Sequence, residues 1–280
     1  MKYRIVSDST SNLLELNSSI DYRTVPLKII TDGREFSDVI GLDVEELVHA
    51  METSSKNSTS CPAVGEWLEA FEGADTIFAI TITSALSGSY ASAVQARDIF
   101  LEEHPDADIY VIDSLSTGGE MELIIEKLRD LMEQGLPFEE IKAQIIEYQT
   151  ETKLLFQLES LSNLAKNGRV PPAIAKIAGL LGIRFIGRAS AVGTLQQEHI
   201  SRGAKKALSQ MVSAILHMGY EGGKMRISNC LNSDLANKLK DKILESFPMA
   251  DVTVRAMTGL CSYYAERGGL IIGFEGKKGY

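Results

Sequence analysis

The sequence predicts an N-terminal α/β domain with a mostly parallel sheet over residues 1–150. A C-terminal α+β domain with a mixed or antiparallel sheet follows over residues 151–280. Three observations lead there. Strand, loop and helix recur in that order through the first half, the pattern of parallel strands joined by crossovers. The second half instead groups paired strands with amphipathic helices. The charge changes sign at the same place. Residues 1–150 hold 10 Lys+Arg against 28 Asp+Glu, and residues 151–280 hold 18 against 10, together making the net −10.

The elements follow in order. Tyr3–Ser7 reads as an apolar strand ending in the polar turn Asp8-Ser9-Thr10-Ser11-Asn12. Val25–Thr31 reads as extended, and Asp32-Gly33 is a hairpin signal. Asp43–Met51 reads as a helix, Thr53 to Ser60 as a loop of small polar residues, and Pro62 as the opening of a helix through Phe71. The β-branched run Thr76–Ile82 predicts a strand buried on both faces. Leu86-Ser87-Gly88-Ser89 leads into a helix through Glu103, Ile109–Ile112 is a second buried strand, and helices are expected near Glu120–Glu133 and Pro137–Thr150. In the second half, strand Lys153–Gln157 precedes helix Ser160–Asn167, and Pro171-Pro172 starts a helix through Leu181. Arg184–Ser190 pairs with Thr194–His199 around Gly193. Helix Ala204–His217, strand Met225–Leu231, helix Ser233–Ser246, and strands Asp251–Ala256 and Leu270–Phe274 complete the chain.

Composition excludes several function classes. An acidic balance argues against a general nucleic-acid binder, whose footprint is basic. Cys61, Cys230 and Cys261 are odd in number and widely spaced, which is neither a disulfide framework nor a zinc pattern and suits a reducing cytosol. The start Met1-Lys2-Tyr3-Arg4 reads as a strand and not as a signal peptide. Lys176 and Arg184 interrupt the most apolar stretch, Pro171 to Ile186, so it is not a membrane span. No phosphate-loop or dinucleotide fingerprint follows a strand, and no His pair has metal-ligand spacing.

In an open parallel sheet, ligands bind beyond the carboxyl ends of the strands. Those loops are rich in hydroxyls: Ser7, Ser9, Thr10 and Ser11, then Thr83, Ser84, Ser87 and Ser89, then Ser114, Ser116 and Thr117. Thr59-Ser60-Cys61-Pro62 adds two more before a helix. Hydroxyls beside helix N-termini can hold a carboxylate or phosphate without a cation. Ser60, Ser84 and Ser87 equally suit ordinary N-caps. Asp8 and Asp113 end strands, where an acid catalyst or a turn cap would sit. Asn167-Gly168-Arg169 and Ser201-Arg202-Gly203 project guanidinium groups from loops, able to pair with an anion or to stay exposed.

The ordered set Asp8-Ser9-Thr10, Val25-Pro26-Leu27, Thr59-Ser60-Cys61-Pro62-Ala63 with Gly65-Glu66-Trp67, Ser84 through Tyr90, Asp113-Ser114, and Leu161 through Val170 resembles the DegV family of bacterial fatty-acid-binding proteins. The resemblance runs from residue 3 to about 205. It implies a long-chain fatty acid lying between or within the two domains, as ligand and with no cofactor. Loop hydroxyls would hold the carboxylate: Thr59 with its neighbour Ser60, and Ser87 or Ser84. It also implies a cytoplasmic binding subunit that is not itself an enzyme. A separate ATP-dependent fatty-acid kinase would phosphorylate the carboxylate, with Arg169 and Arg202 serving that partner or the acyl phosphate. Two departures stand out: Met257 replaces a family histidine, and Arg184-Phe185 replaces a Lys-Pro. Ile174, Ile177, Leu180, Leu181 and Phe185 are candidate tunnel walls, with a spacing that equally suits plain core. The competing expectation is a hydrolase or phosphotransferase acting on a small anion at the same loops, using Asp8 and Asp113.

Overall fold

A computed structural model describes residues 2–174 and 182–277. The helix expected through Leu181, with Ile177, Leu180 and Leu181 as wall candidates, lies mostly outside the described residues. The first sheet is parallel, in the order β2-β1-β6-β7, with β1 Tyr3–Asp8, β2 Asp21–Val25, β6 Thr76–Thr81 and β7 Asp108–Asp113. β6 is buried along its whole length, as its β-branched run predicts. Successive side chains point to opposite faces, so Phe78 and Ile80 enter one core while Ile77 and Ala79 enter another. The second of these cores is closed by α2 (Val64–Phe71) and α3 (Ser89–Glu103) through Trp67, Phe71 and Phe100.

A small antiparallel sheet, β4-β3-β5, leans beside it, with β3 Lys28–Thr31, β4 Arg34–Ser37 and β5 Asn57–Ser60. Asp32 and Gly33 both have positive φ, 45° and 85°, as a two-residue hairpin turn of the I′ kind demands. Three expectations are corrected here. The extended run Val25–Thr31 is two strands, because Pro26 has no N–H for a ladder and the chain changes sheets at that point. The stretch Thr53 to Ser60 is not all loop: β5 pairs with β3, Thr59 opposite Ile29. Its hydroxyl side chains carry no apolar alternation, so only backbone pairing reveals it. Helix α2 starts at Val64 and leaves Pro62 outside, because Glu66 accepts from the Ala63 N–H at 2.7 Å and sets the helix start there.

The third sheet is mixed, in the order β10-β9-β8-β13-β11-β12. Its strands are β8 Thr152–Leu158, β9 Ile183–Ala189, β10 Leu195–Arg202, β11 Lys224–Asn229, β12 Asp251–Ala256 and β13 Leu270–Glu275. β11 and β12 run parallel, and the other neighbours run antiparallel. One face is covered by α7 (Ala204–His217) and α8 (Ser233–Ser246), whose Met211 and Leu239 pack with Leu155, Ile227 and Ile272. The other face meets α4 (Gly119–Glu133), which also packs on the parallel sheet, so one core joins Ile5 and Phe78 to Leu154, Phe156 and Ile271. Further helices among the described residues include α1 (Val44–Thr53), α5 (Phe138–Tyr148), α6 (Ser162–Lys166) and α9 (Gly259–Ala265).

The charge asymmetry of the sequence appears as contacts between α4 and the third sheet. Arg226 Nε pairs with Glu126 at 2.7 Å, Arg255 Nη2 with Glu122 at 2.6 Å and Lys224 with Glu126 at 3.2 Å. Glu122 is fully buried, and burial pushes its carboxyl up to about 7 against the pull of Arg255 and Arg226. The helix approaches closely. A Cβ on Gly119 would lie 2.3 Å from the Arg226 carbonyl, and one on Gly273 would lie 2.0 Å from the Glu120 nitrogen. No helix among the described residues is long and apolar enough to cross a membrane.

Candidate functional site

The loops beyond the carboxyl ends of β2, β6 and β7 line an apolar chamber of about 290 Å³. Its walls come from every layer. Leu27 and Ile82 belong to the first half, Leu154, Phe156 and Leu158 to β8, Leu164 to α6, and Leu260 and Ala265 to α9, with Leu195 and Ile271 from the third sheet. The polar lining is Thr59, Ser60, Cys61, Ser87, Thr117, Cys261, Tyr264 and Arg169. Among the described lining residues Arg169 is the sole charged side chain. A second, more open cavity of about 670 Å³ shares Leu86, Ser87, Gly88, Phe156, Arg169 and Leu195 with it, and reaches Ile174 and Phe185. An apolar cleft with a few placed polar groups is the usual form of a small-ligand site.

Asp8 builds this end of the chamber. It is fully buried, and its oxygens accept from Thr10 N and Oγ1, from Ile82 N at 2.8 Å and from Ser89 Oγ at 2.7 Å. Burial raises its carboxyl above the usual range, and those four bonds oppose the rise. Asp113 accepts from Ser84 N and Leu115 N at 3.0 and 3.1 Å. Both aspartates cap the turns beside them and neither lines the chamber. The hydrolase expectation placed an acid catalyst on them, and their oxygens are instead spent on holding loops.

The predicted ligand residues divide. Thr59, Ser60 and Ser87 line the chamber. Ser87 Oγ also accepts from Ser89 N at 3.2 Å, so it serves the start of α3 while facing the cavity. Ser84 is exposed and borders only the outer cavity. Arg169 reaches across the mouth: Nε donates to the Leu86 carbonyl at 3.0 Å and Nη1 to the Asn167 carbonyl. Arg202 does not join them; it is the exposed last residue of β10 and borders neither cavity. Met257 is buried in the core.

Sequence reasoning missed α9, which carries Cys261 and Tyr264 to the chamber. Leu260 through Ala265 is too short a run to show a helical period, and no side chain of its own caps it. The cap is remote: Asp38 accepts from Gly259 N and Leu260 N. Cys261 Sγ donates to the Thr10 carbonyl at 3.3 Å, and burial pushes its thiol up to about 12, so it is a protonated wall and not a nucleophile. Tyr264 Oη lies 2.8 Å from Thr59 Oγ1.

Comparison with known proteins agrees with this architecture. The family model described as "Uncharacterised protein, DegV family" matches residues 2–277. A DegV domain-containing protein of Streptococcus pneumoniae is 42% identical over 279 residues, covering 98% of this chain and 99% of that one. The structure of the Streptococcus pneumoniae Fatty Acid Kinase (Fak) B3 protein loaded with linoleic acid superposes with a TM-score of 0.97 at 42% identity, over 99% of this chain and 100% of that one. A DegV family protein of Eubacterium eligens loaded with heptadecanoic acid gives 0.95 at 45% identity, over 98% and 100%. With the family model matching residues 2–277 and a relative 42% identical along 98% of its length, the chain belongs to the DegV family.

Proposed function

We propose that this chain binds a long-chain fatty acid, with the acyl tail in the apolar chamber and the carboxylate at Thr59 and Ser87, beside Ser60. The observation that carries this is the chamber's chemistry: leucine, isoleucine and phenylalanine walls are joined by uncharged hydroxyls, with Arg169 as the one charge among the described lining residues. A tail of about 14 methylenes at about 0.8 kcal/mol each supplies roughly 11 kcal/mol of gross transfer energy. Ordering and association costs take back much of it. The carboxylate therefore needs only a hydrogen-bonded seat. The linoleic and heptadecanoic acids in the two similar structures support the ligand class.

The same proposal extends to a partner. The chain presents the carboxylate to a separate ATP-dependent fatty-acid kinase, which performs the phosphoryl transfer, and it works as the binding subunit. Arg169, bridging the two sides of the mouth, is the residue placed to meet the acyl phosphate. Arg202 lies apart and is assigned to the partner's surface. The kinase in the name of the pneumococcal structure supports this partner. A division near residue 150, with the acyl chamber between the parts, and a cytosolic home for the free thiols Cys61, Cys230 and Cys261 complete the reading.

Mass spectrometry of an organic extract from the denatured, purified protein tests it. Stoichiometric long-chain acid is expected. Its reproducible absence, with no uptake of added acid, overturns the proposal. Adding a candidate kinase and ATP is expected to yield acyl phosphate only when this chain is present.

A further inference from the structure

The contact between Tyr264 and Thr59 joins residues 205 positions apart, at the polar end of the chamber. A threonine hydroxyl carries one proton and two acceptor sites, and its proton rotates to suit. Two arrangements satisfy the 2.8 Å contact. If Thr59 donates to the phenol, its only proton is spent. If the phenol donates to Thr59 Oγ1, the Thr59 proton is free to point into the chamber. An ionised carboxylate accepts and cannot donate, so it favours the second arrangement. The result is a chain of two O–H groups ending on the ligand, each polarised by the other.

Tyr264 is held for this task from several sides. It sits on α9, whose first amides donate to the buried Asp38 carboxylate at 2.6 and 2.9 Å. Its ring meets Tyr263 edge to face, with centroids 4.8 Å apart. Tyr263 Oη in turn accepts from Asn167 Nδ2 at 2.8 Å, and the Asn167 carbonyl accepts from Arg169. One connected set of contacts therefore runs from Thr59 through the two tyrosines to the loop carrying Arg169.

We propose that Tyr264 is a positioning residue that fixes Thr59 as a hydrogen-bond donor and so makes the chamber selective for an acyl carboxylate over a neutral head group on the same chain. The proposal rests on the fatty-acid reading above. Tyr264→Phe removes only the phenolic oxygen and keeps the ring against Tyr263. Dissociation constants are measured for hexadecanoic acid, 1-hexadecanol and methyl hexadecanoate, by competition with a fluorescent acyl probe, for wild type and variant. The acid is expected to bind about tenfold more weakly to Tyr264→Phe, near the upper end of the loss typical of one hydrogen bond. The alcohol and ester are expected to change by less than about twofold, since they lack the charge. In a cycle with Thr59→Val, the double variant should lose less than the two single losses combined. A parallel loss for all three ligands indicates a packing role and overturns the proposal, as does an unchanged affinity for the acid. If wild type binds none of the three, the fatty-acid reading falls and the proposal falls with it. Binding of the acid by wild type keeps the two failures distinct.

Discussion

Asp38 caps a helix more than two hundred residues away. Its Oδ1 accepts from Gly259 N at 2.6 Å and its Oδ2 from Leu260 N at 2.9 Å, with Thr258 Oγ1 at 3.3 Å. An N-cap satisfies amides that have no partner within the helix. Here the cap comes from the loop after β4, so the start of α9 and the small antiparallel sheet are fastened together. Asp38→Ala leaves two buried N–H groups without acceptors. It is expected to cost about 1–3 kcal/mol by urea unfolding. It should also weaken fatty-acid retention through displacement of Tyr264. Unchanged unfolding would remove the capping role.

The same carboxylate makes stability depend on pH. Burial raises Asp38 from its ordinary 3.8 to about 6, against the pull of its hydrogen bonds. Between those values the folded state keeps a proton that the unfolded state has lost, so stability falls as pH rises through the window. The contribution is fully present below about pH 4 and gone above about pH 6, with a ceiling on the order of 3 kcal/mol. Unfolding at pH 4.5 and 6.5 should show wild type losing more stability over that interval than Asp38→Asn. Subtracting the variant removes the other carboxylates, several of which (Asp21, Asp32 and Asp251 among them) are shifted the opposite way. Equal slopes for the two proteins would contradict the shift.

Thr59→Ala combined with Ser87→Ala removes the two hydroxyls proposed as the seat. Retained fatty acid, measured by extraction and mass spectrometry, should fall about tenfold or more. A folded double variant that keeps wild-type affinity would place the carboxylate elsewhere.

Gly119 and Gly273 hold α4 against β11 and β13 at backbone distance. Alanine at either position puts a methyl group 2.0–2.3 Å from the facing main chain, which cannot rotate away as a side chain would. Each substitution is expected to destabilise by at least about 1–3 kcal/mol, the usual cost of overpacking. Thermal melting checks this, with an unchanged midpoint as the contrary result. Gly65→Ala is the control, because nothing lies within 4 Å of the Cβ it would add.

Much of this fold was legible in the chain. The run Thr76 to Thr81 announces a doubly covered strand, and Ser233–Ser246 and Asp251–Ala256 carry the periodicities of the helix and strand they form. The loop hydroxyls marked the end of the sheet where Thr59, Ser60 and Ser87 line the chamber. What escaped has a common cause. β5 exists because its backbone pairs with β3, and α9 exists because Asp38 supplies its cap and the core surrounds it. Neither carries a local pattern of its own. Arg169 and Arg202 looked alike as Gly-neighbouring arginines, and packing alone separates them.

By itself the sequence determined the alternation of strands and helices, the acidic and basic halves, and the family, because these depend on residues close together in the chain or on simple sums. Only the tertiary structure decided that the acidic face of α4 meets Arg226 and Arg255, that Asp8 is a scaffold, and that Tyr264 stands on Thr59. Those relations join residues about 80 to 205 positions apart. They form when separately folded elements bury their apolar faces against one another, and no local pattern in the chain encodes which polar groups that burial brings into contact.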